Sequence, residues 1–371
     1  MRRILRYRRI WLLLLFPVCL SLTVLAARFP HVTERAYSSG IYPVIAGFFG
    51  RVFGIVSFSV AQLLLIASII WLILHIVRWV RAIIRPENSN GSKGSRGLAS
   101  ALFAVNILCV SAVVLAWFTF TSGLNYHRET FAQITGLDVR PSYVDELEAL
   151  SLELVESINT VRALLPEDER GVVIIEMSFA DMAIVASNSF YPLAEFHPIF
   201  AGYTPRPKPI IGSRGMSYLN IVGIYSPFTF EGNINTDIPA FNIPSTMMHE
   251  LAHFKGFMRE DEANFIAFIA CRESEDLVFR YSGYMMAMIY ATNALHTADR
   301  ERHAAVMANL SDAVRRDIAA NREYWRQFDT PVADMATAVN NIYLMANRQQ
   351  DGVRSYGMMV DLLLAERRGR V

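Results

Sequence analysis

The strongest signal in the sequence lies in residues 249–265, which read HELAHFKGFMREDEANF. His249 and His253 are four residues apart, so on a helix their side chains share one face and can reach a single metal ion. Glu250 lies one step around that helix, within reach of a water molecule beside the metal. Gly256 can end this helix, and a second helix can then pack back against it. The stretch therefore predicts two packed helices that carry a metal site.

A catalytic zinc ion needs a third protein ligand and keeps one position open for water. Three carboxylates lie at the start of the predicted second helix, which we expect to begin near Glu260. Glu262 is our first choice as the ligand and Glu260 our second, while Glu260 and Asp261 could instead complement the dipole of the helix N-terminus. The related pattern HExxHxxGxxH needs a third histidine where this chain has Arg259, so that pattern is excluded.

A residue that stabilises the oxyanion of a reaction intermediate is harder to place from the sequence. Tyr281 and Tyr284 follow the metal motif, and a phenol at either position could donate that hydrogen bond, as could Arg280. An aromatic pair at this spacing is more often part of the core, and that alternative stays open beside the catalytic one. Tyr225 is a weaker candidate, on a strand that we predict to flank the cleft.

Three apolar runs without charge precede the metal motif, at residues 10–27, 52–77 and 98–121. Each is long enough to cross the roughly 30 Å of a bilayer's hydrocarbon as a helix. We therefore predict a membrane anchor with three transmembrane helices over residues 1–121 and a separate domain over residues 122–371. The basic N-terminus could also begin a signal peptide, but two further apolar runs favour an uncleaved anchor.

The near-neutral net charge of +1 is the sum of two opposite halves. Residues 1–121 hold 13 Lys/Arg and two acids, a net of +11, and the remaining residues hold 22 Lys/Arg and 32 acids, a net of −10. The arginines lie before the first run and in the connector between the second and third runs, which predicts a cytoplasmic N-terminus and an extracytoplasmic domain. Because the positive excess lies among apolar runs, no nucleic-acid partner is expected.

The acidic half has the pattern of an α+β domain that is mostly helical. Alternating β-formers between residues 218 and 235 predict two short strands, and residues 172–175 predict another. The connector at residues 86–97, PENSNGSKGSRG, is typical of a flexible linker. The fold class that we predict is a membrane-anchored α+β protein, in which three N-terminal transmembrane helices precede a mostly helical, zincin-like domain with a small sheet.

Taken together, the motifs resemble the zinc peptidases that combine HExxH with a later glutamate, the gluzincin type. HELAH, EDEANF, RYSGY at residues 280–284 and DGVRSY at residues 351–356 also resemble an uncharacterised bacterial membrane-protein family, catalogued as a domain of unknown function. The resemblance implies Zn²⁺ held by His249, His253 and Glu262, with Glu250 as the catalytic glutamate. It implies nothing about the substrate.

The function expected from the sequence is that of a membrane-tethered, zinc-dependent peptidase with Glu250 as general base. Its partners would be the lipid bilayer and a peptide or protein substrate near the outer membrane surface. The alternative is a membrane sensor or scaffold with a structural or inactive metal site, which a distant residue such as Asp351 could close. A transporter is disfavoured because His75 is the one ionisable residue in the three runs.

Overall fold

The computed structural model describes residues 8–84, 94–347, 349 and 358–370. Most of the predicted linker, and the DGVRSY motif with Asp351, lie outside the described residues.

The N-terminal part contains helices α1 (Leu15–Arg28), α2 (Tyr42–Phe53), α3 (Val60–Ile84) and α4 (Gly94–Thr121). Three segments are long and apolar enough to cross a membrane, namely Arg9–Arg28, Val60–Ile84 and Arg96–Thr121. Three apolar helices were predicted, and three are present. The last residues of the predicted flexible linker are helical, because α4 already begins at Gly94.

The second apolar helix begins eight residues later than its predicted start at residue 52. Helix α2 ends at Phe53, and the chain turns before α3 begins at Val60. The hydroxyl of Ser59 accepts a hydrogen bond from the backbone N–H of Gln62, at 2.9 Å. The carboxylate of Glu231 accepts bonds from the N–H groups of Val60, at 3.3 Å, and Ala61, at 2.8 Å. These acceptors satisfy N–H groups that a helix N-terminus leaves unpaired, so they fix where the helix starts.

The segment between α1 and α3 packs against the C-terminal domain. It forms a helical turn at Pro30–Val32, a π-helix at Thr33–Ile41 and then α2. The buried guanidinium of Arg128 donates two hydrogen bonds of 2.8 Å to the buried carboxylate of Glu34. The predicted boundary after residue 121 assigns this segment to the anchor, whereas these contacts tie it to the domain.

Beyond Thr121 the chain is mostly helical with one small sheet, as predicted. Its helices are α5 (Phe131–Thr135), α6 (Val144–Arg162), α7 (Phe179–Phe196), α8 (Arg214–Ser217), α9 (Ile243–Phe254), α10 (Glu260–Arg272), α11 (Leu277–Ala298), α12 (Arg300–Met307), α13 (Asp312–Arg326), α14 (Pro331–Ala346) and α15 (Met359–Arg370).

The sheet has three strands, β1 (Lys208–Pro209), β2 (Gly223–Ser226) and β3 (Glu231–Ile234). The order is β1-β3-β2, with β1 parallel to β3 and β2 antiparallel to it. The two strands predicted between residues 218 and 235 are therefore present. The strand predicted at residues 172–175 is absent from the described structure, where Val173 makes only an isolated bridge with Glu167.

Helix α9, which carries HELAH, lies directly against β2 and β3. A Cβ atom on Gly232 would come within 2.9 Å of the Glu250 Cβ, and one on Gly223 would clash with the Glu250 carboxylate and lie 2.7 Å from the Thr246 Cγ2. Both distances are too short for a side chain, so glycine at these two positions lets the helix approach the sheet. On its other side α9 packs against α10 and α11, which belong to the main hydrophobic core. The sheet therefore forms one wall of the region around Glu250.

The ion pair between Glu34 and Arg128 gives a prediction about stability. Replacing Glu34 with Ala leaves the guanidinium of Arg128 buried without its counter-charge. We expect a loss of about 3–5 kcal/mol in the free energy of unfolding, measured by denaturation of the detergent-solubilised full-length protein. The matched control is Glu129→Ala, which removes the solvent-accessible pair with His31 and should cost no more than about 1 kcal/mol. Equal losses from the two variants would contradict this assignment.

Candidate metal centre

Two imidazoles and one carboxylate converge at the end of α9 and the start of α10. The Nε2 atoms of His249 and His253 are 3.0 Å apart. The Glu260 Oε2 lies 3.1 Å from the Nε2 of His249 and 3.7 Å from that of His253. One potential ligand atom from each residue lies within 4.8 Å of the others. The spacing of HELAH thus places its two histidines together, as the sequence predicts.

The outer nitrogen of each imidazole bonds to an oxygen acceptor. The Nδ1 of His249 is 2.8 Å from the Asn264 Oδ1, and the Nδ1 of His253 is 2.7 Å from the carbonyl oxygen of Phe257. Because a carbonyl oxygen can only accept, Nδ1 is the donor in both bonds. In the neutral imidazoles, both Nε2 atoms therefore present lone pairs to one another and to the Glu260 carboxylate.

Three electron-pair donors that face one another repel unless a positive charge lies among them. The pKa values in the cluster also indicate that it favours a positive charge. Burial alone would lower the pKa of His253, but the Glu260 carboxylate raises it to about 9. Burial alone would raise the pKa of Glu260, but the two imidazoles hold the pKa of its carboxyl well below the usual range. Two imidazole nitrogens and a carboxylate oxygen, with Nδ1 anchored by outer partners, are the ligand chemistry that zinc prefers. The residues present therefore fit a Zn²⁺ ion.

The carboxylate beside the histidines belongs to Glu260, not to Glu262, our first choice from the sequence. Helix α10 begins at Glu260, and two residues further along a helix the side chain has rotated by about 200°. Glu262 Oε1 instead accepts a hydrogen bond of 2.8 Å from the backbone N–H of Phe131 and lies 3.7 Å from the Arg259 Nε. The structure thus brings the second choice, Glu260, to the two imidazoles and turns Glu262 away from them.

Glu250 is buried between α9 and the sheet. Burial raises the pKa of its carboxyl, against the attraction of the two neighbouring imidazoles. The backbone of Tyr225 donates a hydrogen bond to the Glu250 carboxylate. The Oε2 atom of Glu250 has no hydrogen-bond partner among the described residues. A carboxylate with one oxygen held and the other unoccupied is arranged to accept a proton from a small molecule beside it.

Tyr281 and Tyr284 lie in the core instead of beside the metal cluster. The Tyr281 hydroxyl donates a 2.5 Å hydrogen bond to the Asp317 Oδ2. The same oxygen accepts a 2.6 Å hydrogen bond from the Arg162 Nε. Burial, together with the Asp317 charge, raises the pKa of Tyr281 far above its usual value. The ring of Tyr284 packs edge-on against Phe268, with centroids 5.9 Å apart. The core-packing alternative therefore describes both tyrosines.

Tyr225, the weaker candidate from the sequence, lies beside the cluster. Its ring centroid is 6.3 Å from that of His253. Its hydroxyl is 3.2 Å from the hydroxyl of Tyr42, which donates a 3.1 Å bond to the carbonyl oxygen of Phe254. A residue from the segment between the first two apolar segments thus contacts the helix that carries the histidines.

Three residues of the site were missed in the sequence. Asn264 orients His249, and its Nδ2 lies 3.4 Å from the hydroxyl of Tyr290. The phenols of Tyr290 and Tyr343 are both close enough to Glu260 for its charge to raise their pKa values, and burial has the larger effect, raising that of Tyr290 to about 12. Both therefore keep their protons at neutral pH. Asn264 follows Glu260 by four residues and so shares a helix face with it, which the spacing in the sequence could have indicated. No such signal points to the two tyrosines.

The fold and the site define a mostly helical protein that has three helices apolar enough to span a membrane and a His–His–Glu cluster outside them. A family described as protein of unknown function (DUF3810) matches residues 37–364, which is most of the chain. The protein belongs to this family, and the predicted membership in an uncharacterised family is confirmed. Comparisons with curated proteins and with solved structures give no match.

The placement of the two core tyrosines gives the second prediction. Tyr281→Phe removes a hydrogen bond to a buried carboxylate and should lower the free energy of unfolding by about 1–3 kcal/mol. Tyr284→Phe is the matched control, expected to stay within about 0.5 kcal/mol of wild type because no hydrogen bond is lost. Both are measured by denaturant unfolding in detergent. A larger loss for Tyr284→Phe than for Tyr281→Phe would refute the assignment.

Proposed function

We propose that this protein is a membrane-anchored, zinc-dependent peptidase whose zinc ligands are His249, His253 and Glu260. The observation that carries the proposal is the convergence of the two Nε2 atoms, 3.0 Å apart, on the Glu260 carboxylate while both Nδ1 atoms bond elsewhere. Three protein ligands leave a fourth position for water, which is typical of catalytic zinc, whereas structural zinc has four protein ligands. When bound, zinc supplies a Lewis acid that polarises a carbonyl group and makes water more acidic.

Glu250 is the general base in this proposal. Its Oε2, which has no hydrogen-bond partner among the described residues, accepts a proton from the attacking water. The same carboxyl then donates that proton to the leaving amine. Burial raises the pKa of Glu250, which makes it a better proton acceptor than an exposed glutamate. The hydrogen bond from the Tyr225 backbone holds the carboxylate against the sheet while the proton moves.

The oxyanion that develops on the substrate needs a hydrogen-bond donor, and we assign this role to the phenols around Glu260. Tyr290 and Tyr343 keep their protons at neutral pH and are close enough to Glu260 for its charge to raise their pKa values. We assign the role to them instead of Tyr281 and Tyr284. The Tyr281 hydroxyl donates to a buried carboxylate, and the Tyr284 ring packs in the core.

We further propose that the site faces the exterior of the cell, with the N-terminus in the cytoplasm. Three membrane spans place the segment between α1 and α3 on the same side as the domain beyond Thr121, and the Glu34–Arg128 pair supports this arrangement. The arginine distribution assigns that side to the exterior. Substrates would be peptides or proteins close to the outer membrane surface.

Metal content tests the ligand set. The purified full-length protein should hold one equivalent of zinc by elemental analysis. Loss of a residue that only hydrogen-bonds to a metal ligand lowers metal affinity by roughly 10–100-fold. His253→Ala and Glu260→Gln each remove a ligand itself, so we expect zinc affinity to fall by more than that. Glu262→Gln is the matched control, the same change two residues away, and should keep the metal. Zinc lost from Glu262→Gln but retained by Glu260→Gln would reverse the assignment, and a wild-type protein without zinc affinity would refute the site.

Cleavage of a generic peptide library tests the reaction. Glu250→Gln keeps the shape of the side chain but cannot accept the proton, so cleavage should fall by at least about 10²–10⁴-fold while zinc content is unchanged. Glu273→Gln, the same change on an exposed carboxylate, should alter neither quantity. If zinc is bound but no cleavage depends on Glu250, the peptidase is refuted and the protein is a scaffold with a metal site.

A further inference from the structure

Helix α14 carries a stripe of apolar side chains that no described part of the chain covers. Its members recur at intervals of three and four residues, so they share one helix face. Their exposed fractions are 52% for Val332, 70% for Met335, 66% for Val339 and 67% for Ile342. We refer to these four residues as the apolar stripe.

The apolar stripe is distinct from the face by which α14 packs. Ala333 and Leu344 are the two buried residues of the helix, and they lie on another side. The helix is also nearly free of charge, since Asp334 is its one Asp, Glu, Lys or Arg, whereas the preceding helix α13 holds seven such residues in fifteen. A nearly uncharged helix that exposes a stripe of large apolar side chains suits contact with an apolar medium better than contact with water.

The position of α14 identifies that medium. The hydroxyl of Tyr343 lies 3.1 Å from the hydroxyl of Tyr126, which follows the end of the third apolar segment, Thr121, by only five residues. Elsewhere on the domain, Gln62 near the start of α3 bonds to both backbone groups of Ile211, at 2.7 and 3.1 Å. The domain therefore contacts the ends of the apolar segments directly, and Tyr343 places α14 beside the end of the third one.

We propose that the apolar stripe docks on the bilayer surface, with its side chains among the lipid acyl chains just below the headgroups. The stripe extends the apolar surface of the membrane segments and offers no charge with which a protein partner could pair. Docking would also hold α14 beside the metal cluster, since its Tyr343 is close to Glu260 and the following Gln349 accepts a 3.1 Å bond from the Glu260 N–H. This inference does not depend on whether the cluster is catalytic.

Spin labels test the docking in the full-length protein, reconstituted in vesicles of phosphatidylcholine and phosphatidylglycerol. One variant carries Val339→Cys in the apolar stripe. The matched control carries Thr337→Cys, which is exposed on nearly the opposite side of the same helix. The wild-type chain, whose three cysteines are buried, gives the background labelling. Power saturation compares the access of apolar oxygen and of a water-soluble nickel chelate to each label.

We expect the label at position 339 to be relaxed more by oxygen than by nickel, and the label at position 337 to show the reverse. Ile342→Cys provides a second stripe position and should behave like position 339, which covers the case in which one variant fails to fold. Nickel access at positions 339 and 342 as high as at 337 would overturn the proposal. Spin–spin broadening that disappears on dilution with unlabelled protein would also overturn it, because a second copy of the chain would then cover the stripe.

Discussion

The reversal of the chain between α9 and α10 is the constraint on which the site depends. Gly256 adopts a φ of +88°, a conformation that favours glycine, and its absent Cβ would lie 3.1 Å from the Tyr42 ring and 3.2 Å from the Arg128 guanidinium. The reversal sets the first turn of α10 against the face of α9 that carries His249 and His253, which brings the Glu260 carboxylate to the two imidazoles. It also supplies the carbonyl oxygen of Phe257 that fixes the proton of His253 on Nδ1. One turn thus places the carboxylate and orients one of the two imidazoles.

The same reversal is held by a segment that the sequence assigns to the membrane anchor. Arg128 lies over the ring of Phe257, 4.1 Å from its centroid, and is itself fixed by Glu34 from the π-helix. Tyr42 bonds to the carbonyl oxygen of Phe254 at the end of α9. The His–His–Glu cluster is therefore supported partly by residues that lie between two of the apolar segments. A domain cut at residue 122 would lack these contacts.

The sequence was informative where spacing alone decides the outcome. The interval between His249 and His253 places both on one helix face in any context, and a charge-free run of twenty residues needs only its length to span a bilayer. The choice between Glu260 and Glu262 was different in kind, because it depends on how α10 is rotated relative to α9, and a change of one residue turns a side chain by about 100°. That rotation is set by the turn geometry at Gly256 and by the Phe131 N–H that binds Glu262, neither of which is visible in the spacing. The proximity of Tyr343 to Glu260 could not be predicted for a similar reason, since more than eighty residues separate the two in the sequence.

The displaced start of the second apolar helix shows how this helix is joined to the site. Residues 52–59 are apolar enough to continue a membrane helix, yet α3 begins at Val60 because the Glu231 carboxylate accepts the N–H groups of its first turn. A negative charge at a helix N-terminus is favourable, and the buried Lys208 beside Glu231 balances its charge. The next residue along β3 is Gly232, whose backbone faces the side chain of Glu250. Two consecutive residues of one short strand therefore contact the start of the second apolar helix, α3, and the proposed general base.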